Sequence, residues 1–430
     1  MFKTLANAWK IPDLKRKMIF TIVIVLLYRL GACIPVPYVS SDALNYIVTV
    51  NSSGSIFDYL NILSGQAFSQ ATLFALGVSP YITASIVIQL LTIAIPYLER
   101  ISKEGEEGQK KLNQLTRIAT VVLGLVTSFG YYKLLENNNA ITNKGVFPAF
   151  VIILSYCAGS SLVMWLAEKI NENGIGNGIS IILFANIVSR LPSMIHNLWS
   201  AYLTSGNAGK IILGIGVIIV SLAATALIVF ITDSERRLPI QYAKKVVGRK
   251  MYGGQSSTLP LKVNMTGVMP MIFANSIVSI PATIQMFVNP KQGSFWAGFF
   301  NLFGTDGWLY AVLTAILIVA FAYFYVTISF NPIEVANNLK KNGGFIPGIR
   351  PGKPTSDYIT KVLSRITLIG ALFLVVIAVV PLVANIISGA KLSSLAFTGS
   401  SIIIVVGVVL ETAREIESQM TMRHYKGFLD

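Results

Sequence analysis

Apolar residues in this chain run continuously rather than in alternation, and the runs recur at lengths suited to crossing a lipid bilayer. Ten runs predict membrane spans: 18–36, 71–95, 118–135, 147–167, 179–198, 210–232, 266–288, 308–330, 362–386 and 396–412. A spanning helix needs roughly 17–25 residues, and continuous runs predict helices rather than the alternating strands of a barrel. The stretch from Gly54 to Ile95 departs from this rhythm. Its first part, Ile56, Phe57, Asp58, Tyr59, Leu60, Asn61, Ile62, Leu63 and Ser64, is amphipathic and closes at Gly65. Such a helix is about 14 Å long, less than half the ~30 Å hydrocarbon core. The run Ala71–Ile95 then carries Thr72, Gly77, Ser79, Pro80, Thr83, Ser85, Gln89 and Thr92. A half-length helix leading into a polar full-length one fits a discontinuous element beside a cavity. An interfacial helix followed by an ordinary packed helix fits the same pattern.

The N-terminal residues 1–17 place Phe2, Leu5, Ala6 and Trp9 on one face, which predicts a short helix lying on the membrane surface. Lys15-Arg16-Lys17 before an apolar run imitates a signal peptide, but no small-x-small cleavage site ends the run, so it is read as a retained first span. The cytoplasmic loop 96–117 contains the charge cluster EGEEGQKK and reads as a solvated turn. Loop 168–178 contains the glycine-rich NENGIGNG, yet no strand precedes it, which excludes a dinucleotide fingerprint. In the long loop 233–264, alternation around Leu238-Pro239-Ile240-Gln241-Tyr242 predicts a protruding hairpin. In loop 331–361 the Gly348–Lys353 segment imitates a phosphate-binding loop, but Pro354 stands where Ser or Thr must hold Mg²⁺.

Composition sharpens the class. The chain has 430 residues, 53% hydrophobic and only 12% charged, against about 25% charged in soluble proteins. With the N-terminus inside, 27 of the 34 Lys and Arg residues fall on the inner side. That bias predicts cytoplasmic N- and C-termini. Five spans precede the external loop 199–209 and five follow it, so the halves 1–198 and 210–430 insert with opposite topology, as an inverted repeat requires. The span middles are read as free of Asp, Glu, Lys and Arg. Coupled transporters normally place ionisable groups there, which disfavours a secondary transporter, and an intramembrane enzyme would need an acid or His near a span centre. Two Cys and two distant His build neither a disulfide framework nor a metal site, and no cofactor site is read.

Four stretches, FALGVSPYITASIVIQLLT (74–92), GIGNGISII (174–182), LPLKVNMTGVMPMIFANSI (259–277) and NPIEVANNLKKNGGFIPGIRPG (331–352), resemble the SecY family of protein-conducting channels. The resemblance implies an all-α membrane protein of ten helices in two inverted halves around an hourglass pore. It implies an apolar pore ring of Ile82, Ile86, Ile179, Leu183, Ile272 and Ile404, with Leu183 standing where the family has isoleucine. It makes residues 56–64 a plug beneath the ring and assigns a lateral gate to spans two and three against seven and eight, with Gln89 and Asn264 bearing on its opening. It makes the two long loops a docking surface for the ribosome and the ATPase SecA, through Arg236, Arg237, Tyr242, Lys244, Lys245, Arg249, Lys250 and Arg350. SecE, SecG, YidC, SecDF, signal sequences, nascent polypeptides and membrane lipid are the further partners implied, in a bacterial plasma membrane.

Overall fold

The structure is a computed structural model that describes residues 7–40, 61, 63–200, 208–242, 245–247, 250–252, 256–281, 284, 307–387 and 398–426. Among the described residues, a helix occupies each of the ten predicted runs. They are α1 (Pro12–Gly31), α2 (Ser79–Ala94), α4 (Glu106–Asn137), α5 (Val146–Asn173), α6 (Gly178–Leu198), α7 (Ala208–Asp233), α8 (Met269–Val278), α9 (Trp308–Ser329), α11 (Lys353–Ile387) and α12 (Thr398–Lys426). Two short helices, α3 (Pro96–Lys103) and α10 (Pro332–Lys341), lie between them. By length and apolarity alone, five described helical segments could cross a membrane, or six if α2 and α3 count as one element bent by 102°. The bend sits where Ile95 turns extended and Pro96 cannot donate a backbone hydrogen bond.

Several boundaries differ from expectation. The second span begins at Ser79 rather than residue 71, because Ala71 (φ +49°) and Gly77 (φ +54°) take the chain out of helical geometry. Pro80 then suits the first turn of α2, where no N–H is required. The first helix starts at Pro12 and stops at Gly31, so Lys15-Arg16-Lys17 belong to the helix itself. The cluster EGEEGQKK is not a loop throughout, since α4 starts at Glu106. Helices α11 and α12 likewise run past their apolar stretches. The interior is not free of charge as expected: Arg190 lies well inside α6, between Asn186 and Pro192, and Arg29 reaches inward from the last turn of α1.

The helices form two sets. Within the first five spans α1 and α4 pack on α5 and α2 on α4; within the last five α8 and α11 pack on α9 and α7 on α12. The sets meet along two seams, α2 against α8 and α6 against α12. On one end of the bundle the predicted hairpin forms as β1 (Glu235–Tyr242) antiparallel to β4 (Ser256–Lys262), with Leu238 opposite Leu259. Between them β2 (Lys245–Val247) pairs with β3 (Lys250–Tyr252). The two-residue strand β5 (Gly344–Phe345), from the other long loop, adds to the free edge of β1.

Candidate functional site

The six ring positions come from the four helices at the two seams. Ile82 and Ile86 lie one turn apart on α2, Ile179 and Leu183 one turn apart on α6, Ile272 on α8 and Ile404 on α12. Five of them, Ile82, Ile86, Leu183, Ile272 and Ile404, are buried in one continuous apolar cluster, and Ile179 packs against it half-buried. All six therefore belong to one extended apolar cluster, and Ile82, Ile179 and Ile272 line a common cavity. The first turn of α6 is fixed by Asn177, whose side-chain oxygen accepts hydrogen bonds from the Ile179 and Ser180 amides at 3.0 and 3.4 Å.

Two adjoining cavities open beside the cluster and share Asn177, Met269 and Tyr325 in their walls. The smaller, about 230 Å³, runs along the α2–α8 seam past Ile82, Ile179 and Ile272 and includes Ser85 and Gln89. Gln89 Nε2 donates to Ser85 Oγ at 3.3 Å. The larger, about 370 Å³, is lined by Asn264, Lys262, Glu411 and Arg414. Gln89 and Asn264, both expected to bear on opening of the gate, line two neighbouring cavities. Asn264 is buried and accepts from Thr266 Oγ1 at 3.4 Å. Burial, then the adjacent Arg414 guanidinium, pulls Lys262 below the ordinary lysine range.

Next to the cluster, the chain from Leu63 to Val78 is mostly buried yet largely non-helical. Irregular backbone at membrane depth must have its polar groups satisfied by protein. Three helices supply this. Tyr131 of α4 donates to the Phe68 carbonyl at 2.6 Å, and Tyr156 of α5 to the Ala71 carbonyl at 3.2 Å. Asn186 of α6 donates to the Leu63 carbonyl at 2.6 Å. The segment also binds itself: Asn61 Oδ1 accepts from the Ser69 amide and Ser64 Oγ from the Phe68 amide. Phe74 stacks on Tyr28 at 5.4 Å and lies against Gly31, where any Cβ would sit 2.1 Å from its ring. Of the expected plug, Asn61, Leu63 and Ser64 are buried here; Ile56, Phe57, Asp58, Tyr59, Leu60 and Ile62 lie outside the described residues. Tyr131, Tyr156 and Asn186 were not anticipated from the sequence. Asn186 carried a signal, as a lone amide within the apolar run LFANIV.

The two long loops, expected as one docking surface, share an apolar core of Leu238, Ile240, Leu261, Leu339, Ile346 and Ile359. Tyr242 lies opposite Gly344 across the β1–β5 pairing, where a Cβ would stand 3.0 Å from its ring. Arg236, Arg237 and Arg350 are exposed on this cap, and Arg237 pairs with Glu235 at 2.7 Å. Lys245 and Lys250 sit at the paired ends of β2 and β3, Lys245 opposite Tyr252 and Lys250 opposite Val247. Lys244 and Arg249 lie outside the described residues.

A multi-pass helical bundle whose two helix sets meet over a shared apolar cluster, flanked by cavities and by a tethered irregular segment, has the architecture of a membrane channel protein. The particular family follows from comparison. The SecY family model matches residues 72–413, and the chain belongs to the SecY family. It is 44% identical over 443 residues to the protein translocase subunit SecY of Streptomyces scabiei, and 41% identical over 451 residues to that of Mycobacterium tuberculosis (strain ATCC 25618 / H37Rv). Both alignments cover all of this chain and all of the relative. Among solved structures, a protein-conducting channel matches with a TM-score of 0.67 at 18% identity, covering 94% of this chain and 92% of that one. A SecY whose plug domain stabilises the closed state and maintains a membrane seal matches at 0.68 and 19%, with the same coverage. Sec61 in the canine ribosome–channel complex from the endoplasmic reticulum matches at 0.62 and 16%, again covering 94% and 92%. The fold is thus that of the SecY and Sec61 channels, a family of conduits rather than enzymes.

Proposed function

We infer that this chain is the channel subunit of a Sec translocon, moving unfolded polypeptides across the membrane and releasing apolar segments sideways into lipid. The observation that supports this reading is that Ile82, Ile86, Ile179, Leu183, Ile272 and Ile404, drawn from all four seam helices, belong to or pack on one apolar cluster. A conduit for varied side chains cannot rely on selective ligands. It can rely on apolar groups that exclude water when closed, part around a chain and close again. Residues 56–64 act as the plug on the outer side. The halves 1–198 and 210–430 rock apart about the connection 199–209, opening the α2–α8 seam as the lateral gate near Gln89 and Asn264.

A signal sequence is a hydrophobic helix, and packing at that seam favours the open state over the closed one. Only such differential stabilisation shifts a conformational equilibrium. The shared cap of the two loops is the docking surface, with Arg236, Arg237, Tyr242, Lys244, Lys245, Arg249, Lys250 and Arg350 meeting ribosomal RNA phosphates or SecA carboxylates. Both termini face the cytoplasm of a bacterial cell. SecE and SecG are the expected companion subunits, with YidC and SecDF acting downstream, and the driving energy comes from the ribosome, SecA or the proton-motive force. Deleting residues 56–64 tests the reading: ion leakage and looser signal-sequence selectivity with translocation retained are expected, and an intact seal contradicts the plug assignment.

A further inference from the structure

Asn186 is fully buried in α6 and its carboxamide is used on both sides. Nδ2 donates to the Leu63 carbonyl at 2.6 Å and to the Tyr28 hydroxyl at 2.8 Å. Oδ1 accepts from Arg29 Nη1 at 3.4 Å. One side chain thereby joins α6, α1 and the backbone at the end of the segment read as the plug. Two residues on, Gly65 turns the chain back at φ +64°. A Cβ there would stand 2.7 Å from Arg29 Nη1 and 2.9 Å from Asn186 Oδ1, so only glycine lets the backbone close on the amide. The contact is specific to the Leu63 carbonyl, whereas the Phe68 and Ala71 carbonyls are held by the tyrosines of α4 and α5. Those tyrosines hold the middle of the irregular segment; Asn186 holds its first described turn.

We propose that Asn186 is a positioning residue for the closed channel, a buried amide latch that holds the Leu63 end of the plug against α1 and α6. This rests on the reading of residues 56–64 as the plug. When that end withdraws, the Leu63 bond breaks while the Tyr28 and Arg29 contacts can persist, so the Leu63 bond favours the closed state alone. A polar side chain in an apolar helix is thereby turned into resistance to premature opening, and weak signal sequences are the ones it screens out.

A two-by-two comparison tests this in reconstituted planar bilayers: Asn186→Leu in the full chain and in the chain lacking residues 56–64, with resting conductance as the readout. Loss of one net hydrogen bond to a buried amide predicts roughly tenfold more open-state current for Asn186→Leu in the full chain. The same substitution is expected to add nothing in the deleted chain, because the group it holds is gone. Vesicle translocation of a substrate with a defective signal sequence should rise with the leak. Equal added leakage in both backgrounds overturns the latch and leaves Asn186 as ordinary packing. A wild-type seal in Asn186→Leu also overturns it. A deleted chain that itself remains sealed refutes the plug reading instead. Should Asn186→Leu not accumulate, Tyr28→Phe, which removes one anchor of the amide, replaces it: a few-fold leak in the full chain only is expected, and none overturns the proposal.

Discussion

Replacing Ile272 by asparagine puts an amide at the proposed constriction, where α8 faces α2. Ile272 is 4% exposed, so the substitution removes a buried aliphatic side chain worth roughly 1.5–3 kcal/mol. It also introduces an amide among apolar neighbours, which costs about 1–3 kcal/mol if no partner is found. Both penalties fall on a dry, closed constriction and are relieved when water enters. At about 1.4 kcal/mol per factor of ten, the dry state loses on the order of a hundredfold or more against a hydrated one. Resting current through reconstituted channels measures this directly. Ile272→Asn and Ile86→Asn should both leak, whereas Leu222→Asn on α7, where the residue is 66% exposed, should alter insertion or packing and leave conductance alone. Equal resting current in the ring variants, the α7 variant and the unmodified chain refutes the assignment of the constriction.

The remaining expectations concern the tethered segment and the cap. Tyr131→Phe leaves the Phe68 carbonyl without its donor and should lower unfolding stability in detergent by about 1–3 kcal/mol; unchanged stability means the carbonyl is satisfied another way. Gly159→Ala drives a methyl to 2.1 Å from the Leu73 carbonyl oxygen and should reduce accumulation of folded channel, which quantitative detergent extraction reports. Arg350→Glu should spare insertion and the resting seal but impair SecA-driven transport, and normal transport removes Arg350 from the docking surface. Glu at Arg236 and Arg237 should weaken ribosome flotation and flatten its salt dependence, because each lost phosphate contact releases fewer counterions.

Hydropathy located the helices because the bilayer imposes one length on every apolar run, and α7 and α9 end within two residues of the expected limits. It misjudged what lies outside lipid. The extensions of α4, α11 and α12 are helical but charged, so the apolar signal stops before the backbone does. Residues 71–78 erred the other way. They are as apolar as a spanning helix because they are as buried as one, and only the positive φ values at Ala71 and Gly77 break it. The hairpin was legible from alternation at Leu238 and Ile240, but β5 is two residues long and its pairing with Gln241 and Tyr242 has no local pattern. The proposed ring rests on resemblance alone, since an isoleucine at a constriction looks the same as one in any core. Tyr131 and Tyr156 serve carbonyls 63 and 85 residues away, distances over which sequence spacing carries no information.

The central claim is that this chain conducts polypeptide. Its most direct test is protease protection of a signal-bearing preprotein in vesicles containing the full chain with SecE, after addition of SecA and ATP. Protected polypeptide that appears only with ATP and a functional signal sequence, and that competes with the ion leak of Ile272→Asn channels, is the predicted result. Correctly inserted channels that protect no polypeptide, or protect it equally without SecA and ATP, contradict the account.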